Sequence, residues 1–393
     1  MHKRSAIFLL NVAHAVDHMF LLIFATAVAS IAAEFGFARW EDLMPFGAGA
    51  FVMFGLGSLP AGRLGDLWGR RAMMIVFFFG MGASSLLASL AQGPWQLAAA
   101  LTAIGTFASI YHPVGIPMLL QSAARPGATI GVNGLSGNLG IAVAAALTGL
   151  LMQWFGWRAA FAVPGVACLI LAVVFMRVVP PETESPARRK GRGAVPLSRA
   201  QVARALAVMT LASATGGILF NLTTNGNAQL LTERFRGVMN DPATLGLLLA
   251  SIYAIASLAQ VVVGRLIDRV PLKPLYLTIA LLQVPVLLYS SQEQGWGLYV
   301  GMLGMMIFIF GAIPFTDAMM VRYVDDHMRS RVAGVRLAVS IGISSLAVWA
   351  LGPLVKSMGF DTMLLVLAGV SLCTALTVLW LPPERPVAEM APA

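Results

Sequence analysis

The residues with the most chemical potential in this 393-residue chain are His14-x-x-Asp17-His18, joined from far along the sequence by His112. On a helix, positions i, i+3 and i+4 share one face, so His14, Asp17 and His18 form one cluster. Such a group can exchange protons near neutrality, because an unperturbed histidine titrates at about pH 6.5 and a carboxyl responds to burial and to a neighbouring imidazolium in opposite senses. The same four residues could instead offer nitrogen and oxygen ligands to a first-row divalent metal. A third reading is plain structure: neutral buried histidines and helix-to-helix hydrogen bonds. Ionisable groups inside a membrane are costly enough to count as functional candidates by default, so the elements that carry them matter.

The chain is 58% hydrophobic and 11% charged, with a mean hydropathy of +0.82, whereas globular chains are about one-quarter charged. Apolar runs long enough to cross a bilayer, about 20 residues each, fall near 6–33, 44–62, 72–91, 95–121, 128–153 and 157–179, and again near 204–232, 243–266, 273–292, 295–322, 331–355 and 361–381. Membrane strands need only about 10 residues of alternating pattern, so twelve helices are predicted. With a rise of about 1.5 Å per residue, Asp17 lies roughly 16 Å into the first span and His112 roughly 15 Å above the cytoplasmic end of the fourth. The cluster and His112 therefore share a level.

The net charge of +9 invites a nucleic-acid partner, but its distribution argues against one. With the N-terminus inside, most Lys and Arg residues fall on the cytoplasmic side, leaving only Arg39, Arg158, Arg234, Arg236 and Lys356 outside. That bias sets orientation. Both termini are expected in the cytoplasm, the protein in an inner membrane, and anionic lipid as the counter-charge. Met1-His2-Lys3-Arg4 and Ala27-Val28-Ala29 mimic a cleaved signal, yet the apolar run is too long and too charged, so it is read as the first span. Cys168 and Cys373 lie in predicted spans and form no disulfide framework.

The chain is doubled. Gly62-Arg63-Leu64-Gly65-Asp66-Leu67-Trp68-Gly69-Arg70-Arg71 returns 202 positions later as Gly264-Arg265-Leu266-Ile267-Asp268-Arg269-Val270-Pro271-Leu272-Lys273, and Arg125 to Gly131 is echoed at Arg329 to Gly334. Each copy of the first block sits in a short charged gap between spans. The predicted division is a six-helix bundle over 1–179, a linker over 180–203 containing Arg188-Arg189-Lys190, and a second bundle over 204–393. Two parallel six-helix repeats about an axis along the membrane normal describe one transporter fold.

Those blocks resemble the loop signature of the major facilitator superfamily, and the twelve spans extend the resemblance over the whole chain. It implies alternating access, a monomer without a cofactor, and a cytoplasmic gate formed by Gly62, Asp66, Gly69, Arg70, Arg71, Gly264 and Asp268, with Arg70 and Arg71 at the headgroups. It also implies that spans 1, 4, 7 and 10 line the cavity. Tyr111-His112-Pro113 with His14-x-x-Asp17-His18, and Gly137-Asn138-Leu139-Gly140, are similar to the fosmidomycin-resistance group of exporters, with Val114, Asp17 and His18 as departures. On that resemblance Tyr111 and Asn138 become substrate contacts. Asn221 and Asn225, four apart in the seventh span, could hydrogen-bond a polar substrate or glue helices together. Asp317, after Pro314, could contact substrate or pair with Arg322. Gly105, Gly131, Gly134, Gly137, Gly140 and Gly342 read as close-packing positions.

The favoured expectation is a proton-coupled exporter of a small organic molecule, driven by the proton gradient, with Asp17, His112, His14 and His18 coupling. The alternative is transport of a divalent metal or its chelate through the same four residues. No nucleophile with its base and no phosphate loop is visible, which disfavours an enzyme.

Overall fold

The computed structural model describes residues 2–121, 126–181, 199–267, 269–323 and 326–382. The first span is α1 (His2–Glu34). The second comprises α2 (Trp40–Leu43), a 3-10 turn, α3 (Ala48–Leu56) and α4 (Ser58–Trp68). There follow α5 (Arg70–Ser89), α6 (Pro94–Ala108), a π turn (Tyr111–Gly115), α7 (Ile116–Leu120), α8 (Pro126–Phe155) and α9 (Trp157–Val178). The remainder is α10 (Arg199–Arg234), α11 (Pro242–Ile267), α12 (Leu272–Gln292), α13 (Gly295–Ala312), α14 (Pro314–Tyr323) and α15 (Asp326–Leu379).

Among the described residues, ten helical segments are long and apolar enough to cross a membrane, and the second span, bent by 43°, makes an eleventh. The twelfth is hidden in α15, which breaks at Gly359 (φ 73°, ψ 169°). The chain is an all-α, twelve-span membrane protein. The bend in the second span falls at Gly57, where an added Cβ would meet Ser109 Oγ at 2.5 Å and Met53 O at 2.7 Å. Ends are set by local chemistry. α11 opens on Asp241-Pro242, and the Asp241 carboxylate accepts the Thr244 N–H at 2.9 Å. That cap holds the carboxyl below the usual aspartate range.

Two compact units emerge from the packing: Met1–Arg189 with Asn221–Ala254 and Ser344–Ser357, and Lys190–Phe220 with Ile255–Ile343 and Met358–Ala393. In the first, α1 lies along α8, α5 along α9, and α3 along α6. Lipid tails are as apolar as leucine, so close backbone approach, rather than water exclusion, holds such helices together. Gly140 faces the Ala15 backbone, Gly105 the Ala50 backbone, and Gly82 the Gly165 carbonyl. In the second unit Val208 and Met209 of α10, Tyr276 of α12, Phe315 and Met319 of α14 and Val378 of α15 share a core, with Tyr276 and Phe315 stacked at 4.3 Å.

Two expectations need correction. The repeated block is not a loop: Gly62 to Trp68 end α4, and only Gly69 (φ 93°, ψ 143°) makes the turn. Gly62 and Gly65 serve packing instead, Gly65 accommodating Val114 and Gly62 lying near Pro113. The fourth span crosses as one segment, Pro94–Leu120, with the π turn that holds Pro113 between α6 and α7, as expected of prolines inside a helix. Of the close-packing glycines, Gly131 and Gly342 have nothing within 4 Å of an added Cβ, whereas Gly105, Gly137 and Gly140 do. Of the predicted linker, residues 182–198 lie outside the described residues, as does Asp268, and 199–203 already belong to α10.

Candidate functional site

α1 runs unbroken through residues 14 to 18, so its helical spacing delivers both histidines to one face. Opposite them the π turn at Tyr111–Gly115 carries His112. Such turns re-aim side chains where a regular helix would not, and often do so at functional sites. The three imidazoles meet: His14 lies edge-on to His112 (5.1 Å, 88°) and to His18 (4.9 Å, 60°), while its other partner, Tyr111, is stacked at 4.7 Å. Phe54 closes on His112 at 5.7 Å.

The cluster is held by a polar network that the sequence reading did not include. His14 Nδ1–H donates to the Asn133 carbonyl at 2.7 Å. That bond leaves Nε2 of the neutral ring as an acceptor, so the assigned pattern has His18 Nε2–H donating to His14 Nε2 at 3.2 Å. Asn133 Nδ2 donates to Asn11 Oδ1 (2.9 Å) and to the Tyr111 hydroxyl (2.7 Å), and Tyr111 O–H donates to Leu10 O (3.0 Å). Gly137 leaves room for the ring, since a Cβ there would sit 2.7 Å from His14 Cε1. Asn133, buried in α8, is the site residue the sequence reading missed. Its signal was available: an asparagine in an apolar span needs partners. Tyr111→Phe is expected to cost about 1–2 kcal/mol, the penalty for breaking a buried hydrogen-bond chain, read as a lower melting temperature.

Asp17 is different from its neighbours. Its side chain is 0% exposed, His112 Nε2 lies 3.6 Å away, and neither carboxylate oxygen has a hydrogen bond. A separation of 3.6 Å is an electrostatic contact and no hydrogen bond. A buried carboxylate left so is costly, and such groups call for a functional explanation.

The remaining candidates fall in several places. Asn221 Nδ2 donates to Ser344 Oγ (2.9 Å) and Asn225 Nδ2 to the Asn221 carbonyl (3.0 Å), leaving Asn225 Oδ1 without a partner. Asn138 is buried with Nδ2 unpartnered. Tyr111 is fully buried and supports His14. Asp317 lies on α14 and Gly264 on α11; the Asp317 side chain lies outside what is described. Asp66, in the last turn of α4, is half-buried.

Arg71 bonds to the end of a neighbouring helix. Its Nε and Nη2 donate to the carbonyls of Val179 and Met176, both at 2.5 Å, closing the end of α9. Lys273 Nζ repeats this at the end of α15, donating to Leu379 O at 2.6 Å and Leu381 O at 3.3 Å. Arg71 and Lys273, like Val179 and Leu381, are 202 positions apart, so the repeat extends to how each sixth helix is capped. Basic side chains satisfy free carbonyls and oppose the negative helix end. Arg71→Ala is expected to cost about 1–2 kcal/mol, reduced from the usual charged-bond value because the group is partly exposed. Arg71→Lys should restore much of the lost melting temperature.

Twelve spans in a doubled chain, with ionisable groups buried between helices, match the architecture of one class of membrane transporter. The profile of the Major Facilitator Superfamily matches residues 8–235 and 230–392, and the chain belongs to that family of transporters. A bacterial homologue of the human lysosomal transporter Spinster, crystallised inward-facing and occupied, shares the fold (TM-score 0.72, 14% identity, 97% of this chain and 94% of that one). A probable actinorhodin transporter of Streptomyces coelicolor is 34% identical over 151 residues, 36% of this chain and 25% of the relative. A puromycin resistance protein of Streptomyces alboniger is 32% identical over 144 residues, 36% and 27%. These matches span only about a quarter of each relative. The multidrug resistance protein MdtG of Dickeya zeae matches more broadly, 24% identical over 344 residues, 83% of this chain and 80% of that one.

Proposed function

We propose that this protein is a proton-driven antiporter that exports small organic molecules by alternating access, from an inner membrane with both termini in the cytoplasm. The observation that carries the reading is the fully buried Asp17 carboxylate, without a hydrogen bond and 3.6 Å from His112 Nε2. The proton affinity of such a carboxyl follows its hydration and its distance from the imidazole, and alternating access changes both. Proton and substrate are then coupled because each biases the same two-state equilibrium. His112 is the proton-sharing partner, and His14 and His18 form the relay behind it. Asn221, Asn225, Asn138 and Asp317 are assigned to substrate. The relatives named for an antibiotic, for puromycin and for multidrug resistance support an exported organic cargo.

Everted vesicles carrying the protein test this. With an inward-acid proton gradient and a pH-sensitive dye, adding puromycin or another aromatic cationic antibiotic should release protons, with counter-accumulation of the drug. No drug-dependent proton movement across a broad panel, despite folded protein, would reject the coupling.

A further inference from the structure

Beyond proton coupling, the three imidazoles match a different occupant. His14, His18 and His112 each present a ring nitrogen, all within 4.8 Å of one another. Zinc binds histidine at about 2.0–2.1 Å in tetrahedral geometry, which sets neighbouring ligand nitrogens about 3.3 Å apart. His14 Nε2 and His18 Nε2 already stand at 3.2 Å. The third ring needs only a small closure, and it rides on the π turn rather than on a rigid helix.

Two further features point to a ligand. His14 donates its remaining ring N–H to the Asn133 carbonyl at 2.7 Å, an outer bond that fixes the ring and keeps Nε2 unprotonated; an ion would replace the His18 Nε2–H that this nitrogen now accepts, with His18 moving its proton to Nδ1. Asp17 is fully buried, with both oxygens unpartnered, 3.6 Å from His112 Nε2. It supplies negative charge at the edge of the triad, where a divalent ion would offset it. Imidazole donors select ions such as Zn2+, Co2+ and Ni2+ over Mg2+ and Ca2+, which prefer oxygen.

We infer that His14, His18 and His112 form a binding site for one first-row divalent cation of the zinc class, with Asp17 as its counter-charge.

The test uses the full chain in detergent, without a purification tag containing histidine. Zn2+, Co2+ or Ni2+ should each raise the melting temperature by several degrees, saturating at one equivalent, while Mg2+ and Ca2+ do not. Bound Co2+ should show the intense visible absorption of a four-coordinate site. The shift should vanish in His18→Gln and His14→Gln and persist in the His2→Ala/His327→Ala control. His14→Gln also loses its bond to Asn133, so His18→Gln, whose ring hydrogen-bonds only to His14 among the described residues, decides if His14→Gln fails to fold. No shift with any of the three ions, an equal shift in His18→Gln, or only the weak spectrum of hydrated Co2+ overturns the site. Binding is read without a gradient or an organic substrate, so its failure leaves proton-driven export standing, and the reverse holds.

Discussion

Asp17→Asn protein should fold and melt no lower than the wild type, yet lose all uphill transport. Asparagine keeps the shape of the side chain and removes the charge and the exchangeable proton. The carboxylate contributes no hydrogen bond, so no bonded partner is stranded by the change, and removing a buried charge relieves desolvation. A driving gradient of two pH units sustains up to about a hundredfold accumulation for one coupled proton, since each factor of ten corresponds to about 1.4 kcal/mol. The variant should show none, while retaining downhill exchange within a few-fold of the wild type. Those two readouts together separate coupling from structure. A structural Asp17 would lower the melting temperature and depress both modes of transport equally; a variant that still concentrates drug against a gradient would remove Asp17 from the mechanism.

The second large effect concerns packing. Gly140→Leu should cost about 3 kcal/mol, the upper range for overpacking, and shift α1 away from α8. An added Cβ there collides with the Ala15 backbone, which cannot rotate aside as a flexible side chain would. Ala15 lies next to His14, so the same displacement should disturb the histidine cluster and abolish metal-dependent stabilisation. Gly131→Leu on the same helix is the matched control. Gly131 is exposed with nothing within 4 Å, so its replacement should be neutral within about 0.5 kcal/mol, or slightly stabilising because glycine is a poor helix former. The comparison is read as melting temperature and yield of monodisperse protein. Equal behaviour of the two variants would mean that α1 and α8 do not pack through Gly140.

These two glycines show what kind of information a sequence holds. Both stand in one apolar span, both look like close-packing positions, and only one is. Spacing along a helix gives the axial coordinate of a residue; which neighbour occupies its face depends on the partner helix. The histidine cluster shows the favourable side of that rule. His14, Asp17 and His18 were legible as one face because three- and four-residue spacing fixes relative azimuth within a helix, and His112 was legible as their neighbour in depth because rise per residue is constant. Asn133 was not, since nothing along α8 says that its carbonyl meets a ring on α1.

The sequence by itself determined the twelve spans, the doubling at 202 positions and the four ionisable residues at one level, because bilayer thickness, repeat offset and helical rise are all one-dimensional quantities. Only the tertiary structure decided that the repeated block is helical up to Gly69 and that Arg71 and Lys273 close the ends of α9 and α15. It also decided that the π turn brings His112 to Asp17, and that Asn133 fixes which nitrogen of His14 faces the cluster. Those outcomes depend on rotation about helix axes and on hydrogen bonds between segments more than a hundred residues apart, which no local pattern encodes.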